Sequence, residues 1–546
     1  MVGTATRVTG RRVWRVPLAL GAAALALLLI SRTGPAKRLG SSYVQMRKKN
    51  MNTYLRQNEQ RVLDSCLAAD DSVRYYRDMY SVLINTIYSL ERRGFLRRRE
   101  RVLLFSILKN GNISDLREKI DSVSLVRLDN HSLSKKYLMM ALASDMSFDD
   151  VRRTENLYRK ALESDRFDLQ NYLLLAKFYH RNCNYGEAID TLLAVSSVAN
   201  SSGQKIINLS DNYRMLGDLY RAKRDYENAL ASYVNSLVIL DFKDRDRDKA
   251  RVLTSLGDIM MIRGSSLEAI DYYRYALSLG KLKPRLRLEL LLRLSGAYYD
   301  YGNYSNGLKF ATMAAEGAKK IGDRLLLSRA RYSECLSYEY LGEQEKATAA
   351  CGEAIGEAER RREESPDYEA YLNLADLLDF SRHSRDPGLA ARYLEIARDL
   401  VRNGRDVYRR IEVLERLASV KSHGAGAFGE VMGIYGQLDE LYRENGIGVG
   451  CCNSLISGFM LERTGPKAAE AMYLKAEGEL RNRRKQLATL YIYMSDFYRG
   501  KGNRQKALFY GRRALEIDSQ LYRFDHHYIK YSQDRVNQLL DERENR

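Results

Sequence analysis

The chain predicts an all-α solenoid built from antiparallel helix pairs, and three observations predict it. One arrangement returns along the middle and end of the sequence: a small residue, a bulky one three further on, a turn, an alanine and another small residue seven beyond it. Only six prolines occur in 546 residues, at positions 17, 35, 284, 366, 387 and 466, so Lys37 to Lys283 contains no strong helix breaker. No run of alternating apolar and polar residues with hairpin signals appears, which excludes a sheet-based fold. A single compact core is not expected at this length, whereas a solenoid grows by stacking.

The clearest copy of the pattern runs Leu216, Gly217, Tyr220, Tyr226, Ala229 and Tyr233, and the next runs Leu256, Gly257, Met260, Gly264, Ala269, Tyr273 and Ala276. Two antiparallel helices approach closely only where small residues meet, so Gly217 and Gly257 are expected to face Ala229 and Ala269. Tyr220, Met260 and Tyr273 then fill the wedge toward the next pair. Further copies are Leu294, Ser295, Tyr298, Gly302, Gly307 and Ala314; Cys335, Tyr338, Gly342, Ala347 and Ala354; and Ser495, Tyr498, Gly502, Ala507 and Ala514. An earlier copy is Leu175, Ala176, Tyr179, Tyr185 and Ala188. The turn residues Arg224, Gly264, Gly302 and Gly342 are 40, 38 and 40 residues apart.

These residues resemble the tetratricopeptide repeat (TPR) over residues 135 to 520, most closely at 205 to 355 and 486 to 518. The resemblance implies a right-handed superhelix. The period of 38–40 exceeds the family's roughly 34, which implies helices about a turn longer.

The amino terminus carries a second signal. Residues 1–15 are basic, with Arg7, Arg11, Arg12 and Arg15, and Val16 to Ile30 is an uncharged run, VPLALGAAALALLLI, with Trp14 at its edge. Residues 16–31 are therefore expected to be a transmembrane anchor or signal segment. Fifteen residues make a helix of about 22 Å against a ~30 Å hydrocarbon core, a length shared by signal peptides and short anchors. Pro35 spoils the small-residue site Gly34-Pro35-Ala36, so an uncleaved single-pass anchor is favoured over a cleaved, secreted form. No lipobox cysteine follows. The four leading arginines favour repeats outside the cytoplasm, while Arg32, Lys37, Arg38, Arg47, Lys48 and Lys49 argue the reverse orientation.

Residues 41–134 read as a helical N-terminal capping region, with Val82, Leu83, Ile87 and Leu90 at helical spacing. Repeats then occupy 135–518. Their least regular part is a glycine-rich joint at 420–453, flanked by helices at Ile411 to Val420 and Val431 to Tyr442. Residues 519–546 read as a C-terminal capping helix, part of one long amphipathic helix from Glu516 to Arg546 with Ile517, Leu521, Tyr528, Tyr531, Val536 and Leu540 on one side.

Composition narrows the function classes. The net charge of +19 and pI near 9.4 suit an anionic partner, yet 70 acidic residues are interleaved with 89 basic ones. Solvated helix faces, or lipid headgroups near the anchor, account for that balance better than nucleic acid does. Six scattered cysteines form neither a disulfide framework nor a zinc site. Cys335 and Cys351 occupy small core positions across one hairpin, where separate thiols are the preferred reading and a disulfide the alternative. Six histidines show no metal spacing, and the adjacent His526 and His527 are expected on different sides of their helix. Gly424 to Val431 matches a kinase glycine-rich loop, but no catalytic-loop or metal-binding aspartate follows and the flanks read as helices rather than strands. No catalytic, cofactor or metal residues emerge, and no cofactor is expected.

Proteins of the resembled family bind peptides or protein segments on the concave surface lined by each repeat's first helix. That resemblance places a partner-binding groove at Lys177, His180, Arg181, Arg214, Asp218, Arg221, Arg251, Asp258, Met261, Tyr301, Tyr332 and Tyr340. The places that the family's chaperone-tail clamp fills with asparagine and lysine hold Lys177, Asp218, Asp258 and Ala297, which does not imply that specific role. The expected function is a membrane-anchored, non-enzymatic scaffold or adaptor holding a protein or peptide. A peptide-responsive regulatory sensor and a basic nucleic-acid-binding solenoid are the alternatives.

Overall fold

In the computed structural model, residues 69–541 are described apart from 111–112, 124–128, 203–206, 242–244, 281, 381–384, 403–405, 424–427, 448–457, 459–460, 463–464, 482 and 524–525. The apolar run Val16 to Ile30 and the tip of the glycine-rich joint lie outside these residues. Among the described residues there are 23 helices and no strand, and no helix is long and apolar enough to cross a membrane.

The chain forms two compact units divided after Ser164. The first contains α1 (Ala69–Arg92), α2 (Arg98–Asn110), α3 (Ile113–Ser122), α4 (Asn130–Met146) and α5 (Val151–Ser164). Its centre is Tyr76, Met79, Leu83, Leu104 and Leu142, all essentially inaccessible. Buried Asp145 accepts at Oδ2 from the Tyr75 hydroxyl at 2.5 Å and from Tyr158 at 3.3 Å, so phenol donors satisfy this polar atom in the core.

The second unit is the right-handed solenoid. Its pairs are α6 (Leu169–Arg181) with α7 (Tyr185–Ser202), α8 (Ile207–Ala222) with α9 (Tyr226–Asp241), α10 (Asp246–Arg263) with α11 (Ser266–Ser278), and α12 (Pro284–Tyr301) with α13 (Tyr304–Ile321). There follow α14 (Arg324–Leu341) with α15 (Gln344–Glu364), α16 (Tyr368–Phe380) with α17 (Pro387–Val401), and α18 (Val407–His423) with α19 (Phe428–Glu444). The last elements are α20 (Pro466–Glu479), α21 (Arg484–Gly500), α22 (Arg504–Leu521) and α23 (His527–Asp541). Pro284, Pro387 and Pro466 each open a helix, where the missing N–H costs nothing.

One turn geometry explains the period. Cys183, Arg224, Gly264, Gly302, Gly342 and Gly502 all have positive φ and end a first helix in the left-handed conformation. The next amide then donates to the carbonyl of the bulky repeat residue: Asn184 to Tyr179, Asp225 to Tyr220, Ser265 to Met260, Asn303 to Tyr298, Glu343 to Tyr338 and Asn503 to Tyr498, at 2.8–3.0 Å. The side chains of Asn303 and Asn503 accept from the amides of Asn306 and Lys506, capping the second helix.

Small residues meet as expected where the first-helix position is serine. Ser295 donates to the Gly307 carbonyl at 2.7 Å and Ser495 to that of Ala507 at 2.8 Å. Where it is glycine, the expectation is corrected: a Cβ on Gly217 would lie 2.6 Å from two Tyr233 ring carbons, and Gly257 faces Tyr273 in the same way. The aromatic ring of the second helix, not the alanine, fills the space that glycine leaves. Cys335 and Cys351 are also corrected, since their sulfurs are joined in a disulfide across Cα atoms 5.2 Å apart.

The carboxy-terminal helix is two helices rather than one. α22 stops at Leu521 and α23 starts at His527. α23 buries Ser532, Val536 and Leu539 and leaves Tyr528, Tyr531 and Leu540 exposed, so of the expected apolar side Leu521 and Val536 are buried while those three residues are not. His526 precedes the helix, and its ring stacks on that of His527 at 4.3 Å instead of pointing to the other side.

The superhelix also closes on itself. Tyr185 meets Tyr408 at 4.4 Å between ring centres, and Arg224 pairs with Glu415 at 2.7 Å. Lys485 bonds Asp300, Arg483 lies over the Tyr226 ring at 5.6 Å, and the Arg523 amide donates to the Tyr301 carbonyl at 3.3 Å. These contacts join residues such as Arg224 and Glu415, 191 apart in sequence, or Tyr304 and His527, 223 apart. With a period near 40, one turn takes about five repeats. Turns between paired helices in the earlier coil thus rest on the starts of first helices in the later coil.

Candidate functional site

The first helices α8, α10 and α12 place a polar stripe along one surface. The sequence Gly-Asp recurs at 217–218 and 257–258, and the tyrosine that fills each glycine's space donates to the adjacent aspartate: Tyr233 to Asp218 at 2.6 Å and Tyr273 to Asp258 at 2.7 Å. Burial, with these carboxylates beside them, pushes both phenols above their ordinary range, so they remain donors at neutral pH. Arg214 pairs with Asp218 at 2.7 Å. Asp258 is reached from both neighbouring pairs, by Arg221 at 3.8 Å and Arg293 at 2.8 Å.

Arg221 and Arg293 keep side-chain exposures of 41% and 38%, yet both are desolvated by surrounding protein. Desolvation opposes their charge, and the nearby Tyr233, Asp218 and Asp258 for Arg221, with Asp258 and Tyr273 for Arg293, more than offset it. Both guanidinium groups are thus partly open to solvent yet crowded by neighbouring side chains. Farther along, Arg416 of α18 bonds Asp376 of α16 and lies 3.7 Å from Glu412; burial raises the pKa of both carboxyls.

Of the sequence-predicted residues, Arg214, Asp218, Arg221 and Asp258 are brought together in this stripe. Arg251 is half-buried on α10, apart from the stripe's ion pairs. Met261 and Tyr301 pack against the α9–α12 core, and Tyr332 packs against the cluster of Ala354, Ala358, Leu374 and Leu377. Lys177, His180 and Arg181 are half-buried on α6, with Arg181 over the Phe178 ring at 5.8 Å and His180 beside Tyr185 at 5.4 Å. Tyr340 stacks on Tyr304 at 4.8 Å and on His527 at 4.7 Å, so it belongs to the closure between coils. Sequence reasoning missed Arg293, Asp376, Glu412 and Arg416. The repeated Gly-Asp with tyrosine fifteen residues after each aspartate was the readable signal for the stripe's core. Cys335, Glu339 and Cys351 come within ligand reach of one another, but both sulfurs are committed to the disulfide.

No protein-family model and no curated protein sequence matches the chain. Solved structures are similar at low identity. A Rap protein complexed with competence and sporulation factor aligns at 13% identity and TM-score 0.40, covering 68% of this chain and 99% of that one. BtubC from P. vanneervenii aligns at 18% identity and TM-score 0.32, covering 44% and 92%. YrrB, a TPR protein with an unusual peptide-binding site, aligns at 17% identity and TM-score 0.29, covering 39% and 94%.

Proposed function

We propose that the concave stripe of α8, α10 and α12 binds a segment of a protein partner, and that the chain is a non-enzymatic scaffold or adaptor. The observation that carries this reading is the set of linked charges Arg214, Asp218, Arg221, Asp258 and Arg293 across three successive first helices, of which Arg221 and Arg293 stay partly exposed although crowded by protein. Charges already pre-oriented by neighbours lose little freedom when a polar segment docks beside them. Among the described residues no arrangement of nucleophile, base and oxyanion donors competes with binding as the role of this surface. The apolar run from Val16 to Ile30, preceded by four arginines, supports tethering at a membrane, with the repeats on the extracytoplasmic side.

Photo-crosslinking tests the groove. A benzophenone side chain at Arg221 or Arg293, the most exposed residues of the stripe, is expected to capture a discrete partner, and the same group at exposed Asn235 on the second-helix face is not. Arg214→Glu should weaken that capture with little change in thermal stability, since its partly exposed pair with Asp218 contributes little to folding. Equal capture from both faces, or capture untouched by Arg214→Glu, refutes the groove as the binding surface. A phosphatase fused after Arg546, with alkaline extraction of membranes, tests the anchor and its orientation separately.

The closure between coils favours a second reading, a sensor whose superhelical pitch responds to the bound segment.

A further inference from the structure

His526 sits where three parts of the closure meet. It is 2% exposed, its ring lies against Gly302 at the turn between α12 and α13, and it stacks on Tyr522 at 4.2 Å. From the earlier coil it is faced by Tyr304 of α13, whose ring is 6.3 Å away. From the later coil it is faced by Lys485 at the start of α21, by His527, and by Tyr528. Lys485 is in turn bonded to Asp300, which also accepts from the hydroxyl of Ser266.

The hydrogen bonding of the ring is specific about its charge. His526 Nδ1 accepts from the backbone amide of Tyr528 at 3.1 Å, which makes the imidazole the N-cap of α23. A protonated ring has no acceptor, so it forfeits this bond. It also sets a positive charge against the positive end of the α23 dipole, beside the Lys485 ammonium. Among the closure's other contacts, the ion pairs of Arg224 with Glu415 and Lys485 with Asp300 have partly exposed partners, and such pairs contribute little each.

We propose that His526 is an acid-sensitive latch: neutral, it caps α23 and holds the later coil on the Gly302 turn, and protonated, it releases the coils and lengthens the superhelix. This inference concerns the chain's own closure and stands whether or not the α8–α12 stripe binds a partner. The direction follows from linkage. Burial, with His527 and Lys485 nearby, lowers the His526 pKa from 6.5 to about 3 in the closed state. A freed ring regains its ordinary value, so the open form binds more protons between pH 6.5 and 3, and closure weakens as pH falls through that window. At pH 4.5 the open-to-closed ratio shifts by about a hundredfold relative to pH 7.5. Asp518 opposes this where it also gains exposure, because burial raises its pKa to about 6, and protonation favours its packing under Ser532. The test therefore uses the Asp518→Asn background.

Full-length chain carries a fluorescent donor and acceptor at exposed Glu345 and Lys530, on either side of the contact between Tyr340 and His527. Energy transfer is expected to fall between pH 7.5 and 4.5 with helical circular dichroism retained. His526→Asn, which supplies a cap acceptor that does not titrate, should keep high transfer at both pH values, and His526→Gln serves where the asparagine variant does not fold. Constant transfer in the parent chain overturns the proposal. An equal fall in the asparagine variant overturns it too, since the proton then acts elsewhere, as does a fall that merely follows loss of helix.

Discussion

Replacing Gly217 by alanine separates the packing role of this glycine from its helix propensity. Alanine in a helix interior is normally favoured over glycine by about 1 kcal/mol. At position 217 the added Cβ would stand 2.6 Å from Tyr233 Cδ1 and Cε1 and 2.8 Å from Cζ, about 1 Å inside ordinary carbon contact. The ring cannot swing aside freely, because it is fully buried and its hydroxyl is bonded to Asp218 at 2.6 Å. Overpacking of this kind costs roughly 1–3 kcal/mol, more than the propensity gain, and the broken phenol bond adds about 1 kcal/mol. Gly296, inside α12 with nothing near its missing Cβ, supplies the contrast. Urea unfolding followed by far-ultraviolet dichroism, with hydrogen exchange across α8 and α9, should show Gly217→Ala destabilised and Gly296→Ala slightly stabilised. Equal or greater stability for Gly217→Ala would refute the ring-for-Cβ packing and return the site to the small-against-small arrangement.

Removing the Cys335–Cys351 disulfide, which closes a loop across a separation of 16 residues, should cost about 3 kcal/mol, read without reductant as a lower thermal midpoint of the Cys335→Ala/Cys351→Ala variant, so that the disulfide at Cys183 stays intact. Asp518 is buried with a carboxyl raised to about 6 from 3.8, so its favourable contribution is present at low pH and lost as pH rises through 6. Asp518→Asn should therefore be more stable than the parent by up to about 3 kcal/mol at pH 7.5, with the gap vanishing near pH 4, measured by urea unfolding at both values. Gly342→Ala meets no atom but must hold φ near 81°, which costs about 1 kcal/mol of backbone strain. Gly302→Ala adds a Cβ 2.6 Å from His526 Cδ2, so it alone should lower energy transfer between labels at 345 and 530 at neutral pH.

The solenoid was legible because its cause is local. Each left-handed turn needs a residue that tolerates positive φ, and glycine at 264, 302 and 342 displays the period openly, while Arg224 is read only by counting from them and Cys183 was not read as a turn residue. The break between Leu521 and His527 had no such marker, having neither glycine nor proline; the imidazole cap that restarts α23 is a rare substitute for Asn or Ser. Half of the groove could be read because Asp218 and Asp258 sit one residue after the glycines of the repeat. Arg293 could not, since its partnership with Asp258 depends on how neighbouring pairs stack, 35 residues apart. The closure was invisible for the same reason on a larger scale: Arg224 and Glu415, or Tyr340 and His527, belong to no common repeat position.

Asp258 has a mechanical meaning beyond its place on the groove wall. One carboxylate is gripped from three successive helical hairpins, by Arg221, by Tyr273 of its own pair and by Arg293. In a linear array each hairpin ordinarily melts with a free energy set by itself and its nearest interfaces. A shared anion makes the central hairpin a knot in that chain of springs, so removing it releases two interfaces together. Under a pulling force from the carboxyl end, the array should yield first elsewhere and reach the stretch from Ile207 to Tyr301 as a single, larger extension step.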